Sequence, residues 1–241
     1  MMIVPDQNSD VSKRKQVESM FDSISHKYDF LNRIISFGID KHWRKKAILC
    51  LKDYKPQCIL DIATGTGDFA ILANKLLNPN QIIGVDISEK MIAFGQAKLN
   101  KLSPRPNIEL QSGDSENLIF DDAAFDAAIV AFGVRNFENL QASMNEISRT
   151  IKNGGALVVL EFGIPKNPVS RFFYRLYFHG FLPIIGGLVS GNKKAYSYLP
   201  RSVEGFPYGE KFIEILKKAG FQNVTIKYLT MGIANIYFAQ K

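Results

Sequence analysis

The residues of this chain best able to do chemistry are carboxylates set beside a glycine-rich turn. Residues 58–68 read CILDIATGTGD, and residues 85–88 read VDIS. Gly65 and Gly67 let the backbone approach a ligand, because glycine has no Cβ and accepts a left-handed φ. Asp86 ends a second apolar run, where a carboxylate accepts hydrogen bonds from two ribose hydroxyls. Together they predict a nucleoside-containing cofactor. Asp61 lies four residues before Gly65. Its charge beside the turn repels a pyrophosphate but can hold the ammonium group of an amino acid, directly or through water. Gly113-Asp114-Ser115 follows a third apolar run and can meet an adenine amino group. The run Gly65-Thr66-Gly67-Asp68-Phe69-Ala70 also satisfies the dinucleotide fingerprint, so an NAD-dependent oxidoreductase stays open.

The elements that must position these groups alternate. Strands are expected over 58–62, 81–86, 107–112, 125–131 and 156–162, with helices over 68–77, 89–101 and 138–152 between them. Ser88 is the N-cap expected for the second helix. Gly154-Gly155 reads as the stop of the third. The nearly continuous apolar run FDAAIVA suits a parallel strand covered on both faces. Residues 12–23 and 40–52 read as N-terminal helices, the second with Trp43, Ala47 and Leu51 at i, i+4, i+8. The stretch between them, SHKYDFLNRIISFG, is mixed and aromatic. The alternation breaks at Pro165, and 165–207 reads as an insertion rich in Phe, Tyr, Gly and Pro. A last helix over 208–219 precedes two strands, 222–229 and 233–239, around Met231-Gly232, an antiparallel hairpin. The fold class is α/β with a seven-stranded, mostly parallel sheet. The 241 residues form one domain: N-terminal helices at 1–55, a cofactor-binding core at 56–164, the insertion at 165–207, and the final helix and hairpin at 208–241.

Composition sets bounds. Thirty Lys and Arg against 23 Asp and Glu give +7, which suits a solvated surface or a basic face equally. No nucleic-acid module or aromatic–basic motif accompanies that charge, so no nucleic-acid partner is expected. Cys50 and Cys58 read as free thiols of a reducing cytosol. The N-terminus lacks a signal pattern, which points to a cytoplasmic protein. His26, His42 and His179 have no ligand-like spacing, and no metal is expected. The segment 172–190 carries Arg175, His179 and Pro183, too many interruptions for a spanning helix. It reads as two short pieces, broken at Pro183, that line a pocket or rest on a bilayer surface.

The chain resembles class I S-adenosylmethionine-dependent methyltransferases, with their Rossmann-like sheet. More narrowly, it is similar to the quinone-biosynthesis C-methyltransferases that act on demethylmenaquinol or, in some organisms, a polyprenyl methoxy-benzoquinol. The segments carrying this are Tyr28-Asp29-x-x-Asn32 with Ser36 and Trp43-Arg44, then LDIATGTGD, AFGVRN at 131–136, Lys152-x-Gly154-Gly155 and Leu160-Glu161. Asp40, Ala63, Ala131, Asn153 and Gly163 depart from the usual pattern, and Ala131 loses a cofactor hydrogen bond.

The resemblance implies S-adenosylmethionine as cofactor, with contacts at Thr66, Asp86, Asp114 and Ser115 beside Asp61, Gly65 and Gly67. It implies C-methylation of a prenylated quinol in menaquinone biosynthesis, or of the benzoquinol in ubiquinone biosynthesis. A ring carbon made electron-rich by a phenolate needs alignment, water exclusion and help with a phenolic proton. Arg135 and Asn136 close the loop after the fourth strand, where α/β ligands bind. There Arg135 can stabilise phenolate or position a water, and Asn136 can bind a ring oxygen or cap the next helix. Tyr28 and Asp29 belong to a lid over the cofactor. His26 and His179 are further candidate bases, and Trp43 packs the N-terminal helices. Phe172, Phe173, Tyr177, Phe178, Phe181, Leu182, Ile184 and Ile185 supply an apolar groove for the prenyl tail. With Arg171, Lys193 and Lys194 they can also meet a membrane surface. A subdomain core or a homodimer interface would use the same residues.

Overall fold

The structure is a computed structural model, and it describes residues 3–181 and 193–241. Short apolar runs form β1 (Cys58–Ile62), β2 (Gln81–Asp86), β3 (Ile108–Ser112) and β4 (Phe125–Ala131). They join β5 (Ile151–Phe162), β6 (Gln222–Leu229) and β7 (Ala234–Gln240) in one sheet of order β3-β2-β1-β4-β5-β7-β6. β1 to β5 run parallel, and β7 enters antiparallel between β5 and β6. The order reverses between β1 and β4. The crevice at their carboxyl ends is where an open α/β sheet binds ligands.

Helices cover both faces. α3 (Asp40–Leu49), α4 (Asp68–Leu77) and α5 (Glu89–Leu99) lie on one, with Trp43, Ala47, Ile48, Phe69, Ala73 and Leu99 buried against the sheet. α6 (Leu140–Thr150) and α9 (Glu210–Lys218) cover the other through Met144, Ile147, Phe212 and Leu216. Ser88 caps α5 as expected, its hydroxyl accepting from the Met91 N–H at 3.1 Å. Above the crevice lie α1 (Lys13–Ile24), α2 (Tyr28–Ile35), α7 (Pro168–Arg175), a π-helical turn (Leu176–Phe181) and α8 (Lys193–Gly205). The expected break at Pro183, with Leu182, Ile184 and Ile185, falls outside the described residues.

Two sequence expectations are corrected. Gly154-Gly155 does not stop α6. The helix ends at Thr150, and Ile151 already pairs with Phe125 in the sheet; the next registered pair is Ala127 with Ala156. Residues 152–155 therefore bulge opposite Asp126 alone, which needs Gly154 at φ +81°. A Cβ on Gly155 would stand 2.6 Å from the Asp126 carbonyl oxygen. The second correction is α2, where sequence reading assigned no helix. The helix Tyr28–Ile35 is short, and its sequence does carry apolar Leu31, Ile34 and Ile35 at i, i+3, i+4, a signal the sequence reading passed over; Tyr28 and Asn32 line a cavity.

Candidate active site

The turn after β1 holds three left-handed residues in five: Ala63 at φ +53°, Gly65 at +57° and Gly67 at +79°. Thr64 N–H bonds the Val85 carbonyl at 3.0 Å, which ties the turn to β2. Ala63 presses against Gly133, where a Cβ would lie 2.6 Å from its own. This turn forms one wall of a groove whose other lining includes Val17, Asp86, Met91, Asp114 and Ser115.

Asp86 is held in place by backbone donors. Its Oδ2 accepts from Gly65 N–H at 2.8 Å and its Oδ1 from Ser88 N–H at 2.9 Å. Burial raises its pKa against those bonds. Each oxygen keeps a lone pair for a hydroxyl. Asp114 closes the far end, paired with Arg14 of α1 at 2.5 Å. Ser115 lines the groove, but its hydroxyl lies 3.0 Å from that of Ser143 on α6.

Beneath Tyr28 lies a small polar cavity lined by Asp29, Asn32, Arg44, Asp61, Thr64, Thr66 and Asp68. Thr66 donates to Asp29 at 2.6 Å and accepts from Lys98 at 2.9 Å. Lys98 also pairs with Asp29 at 2.5 Å and Asp68 at 2.7 Å, so α2 is clamped onto the turn. Asp61 is 1% exposed. Its Oδ2 accepts from the Thr64 hydroxyl at 2.6 Å, and its Oδ1 has no hydrogen-bond partner. Burial pushes its pKa up to about 7, opposed by the Thr64 hydroxyl, Arg44 and the Ala70 backbone N–H. A buried unpaired carboxylate oxygen is costly and points to a missing donor.

A large apolar cavity of about 770 Å³ adjoins both spaces. Phe132, Phe162, Phe173, Tyr174, Phe178 and Tyr198 line it; it shares Phe21, Tyr28, Phe132 and Asn136 with the groove and Tyr28, Asn32 and Arg44 with the polar cavity. Tyr28 thus stands where all three meet, and burial raises its hydroxyl pKa. Arg135 enters this cavity on a 3-10 turn after β4. Its Nη1 donates to the Phe132 carbonyl and to Glu161 Oε1 at 2.8 Å, and its Nε has no partner. Its guanidinium lies 5.4 Å from the Phe162 ring centroid. Glu161 on β5 is 0% exposed, and burial raises its pKa against the pull of Arg135. Asn136 accepts from Tyr198 OH at 3.2 Å; burial moves that hydroxyl up to about 12. Trp43, expected to pack the N-terminal helices, instead packs on Phe132 and on Phe162 of β5, donates from Nε1 to Thr230 at 2.8 Å and lines the cavity.

Nine of the ten residues singled out from sequence therefore border these spaces; Gly67 instead lies at the α4 N-cap behind Leu110, 3.3 Å from a Cβ at that position. His26 is exposed and lines none of them. Sequence reasoning assigned no role to Lys13, Arg44, Glu161 and Tyr198. Lys13 is buried and donates to the Arg135 and Phe137 carbonyls at 3.0 and 2.8 Å, which clips α1 to the loop. Burial and the neighbouring Arg135 lower its pKa to about 8. Glu161 did carry a signal, as a lone charge inside the apolar run ALVVLEF. A nucleoside groove joined to a polar cavity with an orphan carboxylate oxygen fits an adenosine carrying an amino acid.

Comparisons agree with this geometry. The model of the ubiE/COQ5 methyltransferase family matches residues 9–241. The chain is 44% identical to the demethylmenaquinone methyltransferase of Bacteroides fragilis over 234 residues, covering 97% of this chain and 96% of the relative. It is 40% identical to the Thermus thermophilus demethylmenaquinone methyltransferase, covering 92% and 100%. It is also 40% identical to the ubiquinone/menaquinone biosynthesis C-methyltransferase of Geotalea daltonii, covering 95% and 97%. Among solved structures, a SAM-dependent methyltransferase of Thermotoga maritima superposes with TM-score 0.64 at 19% identity, covering 92% of this chain and 99% of that one. Human N-acetylserotonin methyltransferase in complex with SAM superposes at 0.65 and 17%, covering 96% and 60%. These two support the fold alone.

Proposed function

The chain belongs to the ubiE/COQ5 methyltransferase family, and we propose that it methylates a ring carbon of demethylmenaquinol, giving menaquinol, with S-adenosylmethionine as methyl donor. The observation that carries this is the apolar cavity of about 770 Å³ opening onto the nucleoside groove at Tyr28, Phe132 and Asn136. A prenylated quinol needs such a space, with few polar groups, all near the reacting ring.

Asp86, Asp114, Ser115 and Gly65 hold the nucleoside, Thr66 faces the amino-acid end, and Asp61 takes the ammonium there. The bound cofactor supplies an electrophilic methyl group. Arg135, kept in the apolar cavity by Glu161, lowers the cost of a phenolate on the quinol and positions a water to take its proton. Asn136 holds a ring oxygen, and Tyr28 closes the junction against bulk water. Purified protein with S-adenosylmethionine and reduced short-chain demethylmenaquinol should yield the methylated ring and S-adenosylhomocysteine. The reduced methoxy-benzoquinol run in parallel separates the two ring types, and lack of turnover on every reduced quinone would sink the reading.

No helix among the described residues is long and apolar enough to cross a membrane. We place the protein in the cytoplasm, with the cavity mouth resting on an anionic bilayer. Phe37 (78% exposed), Phe172, Phe173, Leu176 and Met231 (75%) form exposed apolar positions on segments bordering that mouth. Phe37 and Met231 are held at φ +50° and +55°, a strained way to present apolar side chains to solvent. Residues 162–203 contain Lys166, Arg171, Arg175, Lys193, Lys194 and Arg201 and no Asp or Glu. Apolar contact joined to a run of cations favours a bilayer over a second copy of the same basic face.

A further inference from the structure

Arg44 is a buried cation that the roles above do not use. It projects from α3 with its side chain 11% exposed, its guanidinium 5.7 Å from the Phe69 centroid and 5.3 Å from that of Phe132. Asp40 Oδ2 stands 3.7 Å from its Nε, beyond hydrogen-bond range, and that Nε has no hydrogen-bond partner. Leaving a guanidinium N–H buried and unpaired is costly, so a ligand atom is the expected partner.

The small polar cavity says which kind. Of its described lining residues, Arg44 is the only Lys or Arg. On the same wall, Asp61 Oδ1 is the second orphan, and it carries the opposite charge. One buried unpaired donor of a cation and one buried unpaired acceptor of an anion, facing one cavity, match a zwitterion. An α-amino-α-carboxylate is a zwitterion of that charge pattern. We propose that Arg44 binds the α-carboxylate of the cofactor's amino-acid end while Asp61 binds its ammonium. This rests on the methyltransferase reading and extends it to a recognition residue. Arg44 also borders the apolar cavity, but a neutral quinol offers the guanidinium no charge-assisted bond beyond the distant Asp40. A carboxylate neutralises it through a charge-assisted bond. Contact with the Phe69 and Phe132 rings restricts the guanidinium, whose planar fork suits a bidentate acceptor.

Calorimetric titration separates the cases with two ligands. S-adenosylhomocysteine carries the amino-acid end; 5′-methylthioadenosine keeps the nucleoside and thioether without it. Arg44→Gln should weaken S-adenosylhomocysteine about 10- to 150-fold, the range for losing a hydrogen bond to a charged group. Methylthioadenosine should stay within about twofold of the unsubstituted protein, since its contacts lie at Asp86 and Asp114. Arg44→Lys keeps the charge beside Asp40 and guards against misfolding of the glutamine variant; it should show a smaller loss on the same ligand only. Equal weakening of both ligands would overturn the proposal, as would unchanged S-adenosylhomocysteine affinity with a raised KM for the quinol. If the unsubstituted protein binds neither ligand, the cofactor reading falls, and this proposal with it.

Discussion

Asp61 makes cofactor affinity pH-dependent in a direction the structure dictates. Its carboxyl is buried and one oxygen is unpaired, which holds its pKa up to about 7. Only the ionised form accepts the ammonium with full charge. At about pH 6 roughly one-tenth of the carboxyl is ionised, and at about pH 8 roughly nine-tenths. Affinity for S-adenosylhomocysteine should therefore rise about tenfold from pH 6 to 8, close to 1.4 kcal/mol, with proton release on binding at the acid end. For stability of the ligand-free protein the sign is opposite. A carboxyl raised above its unfolded value stabilises the fold below that value and loses the contribution as pH climbs through about 7. Calorimetry in two buffers of different ionisation enthalpy measures both the affinity and the proton count. Asp86, also raised by burial, faces the nucleoside, so its titration would move methylthioadenosine as well. The difference between the two ligands isolates Asp61, and Asp61→Asn should flatten it. Affinity for S-adenosylhomocysteine that is flat or falling from pH 6 to 8 would refute the reasoning.

The remaining predictions concern the cavity and its rim. Arg135→Met leaves Glu161 buried without its cation, so urea denaturation should show a loss of about 3–5 kcal/mol together with loss of turnover. Adding Glu161→Gln should recover most of the stability and none of the turnover; recovered turnover would remove Arg135 from the chemistry. Phe172 and Leu176 are exposed and do not line the cavity, so Phe172→Ser with Leu176→Ser should leave turnover on a short-chain quinol unchanged. The same pair should cut flotation with vesicles rich in phosphatidylglycerol by about tenfold or more, from the lost apolar burial; unchanged flotation would move the bilayer contact elsewhere.

How far the molecule was legible depended on where each side chain's partner lies. β1, the turn and α4 matched the sequence reading residue for residue, because a buried strand, a glycine break and an amphipathic helix are local patterns. α2 was missed because it is only eight residues long and its apolar positions Leu31, Ile34 and Ile35 are interleaved with the polar Asn32 and Arg33. Gly154-Gly155 was read as a helix stop because glycine signals a left-handed φ without saying whether a cap or a bulge needs it. The long-range polar contacts were beyond reach for a different reason. Arg135 and Glu161 are 26 residues apart, and Lys13 meets the Arg135 carbonyl across 122.

Motif resemblance and three-dimensional structure also rank the site residues differently. The resemblance implies Thr66 and Ser115 as contacts, while Asp61 comes from its charge beside the turn. In the fold, Thr66 is held by Asp29 and Lys98, and Ser115 faces Ser143. Asp61 keeps an unpaired oxygen. A group already satisfied by the protein adds little net energy when it meets a ligand, since one hydrogen bond is exchanged for another. A buried group with no partner gains the whole bond. By that criterion Asp61 and Arg44, one of them never assigned a role from sequence, are the polar contacts on which affinity for the amino-acid end should depend most.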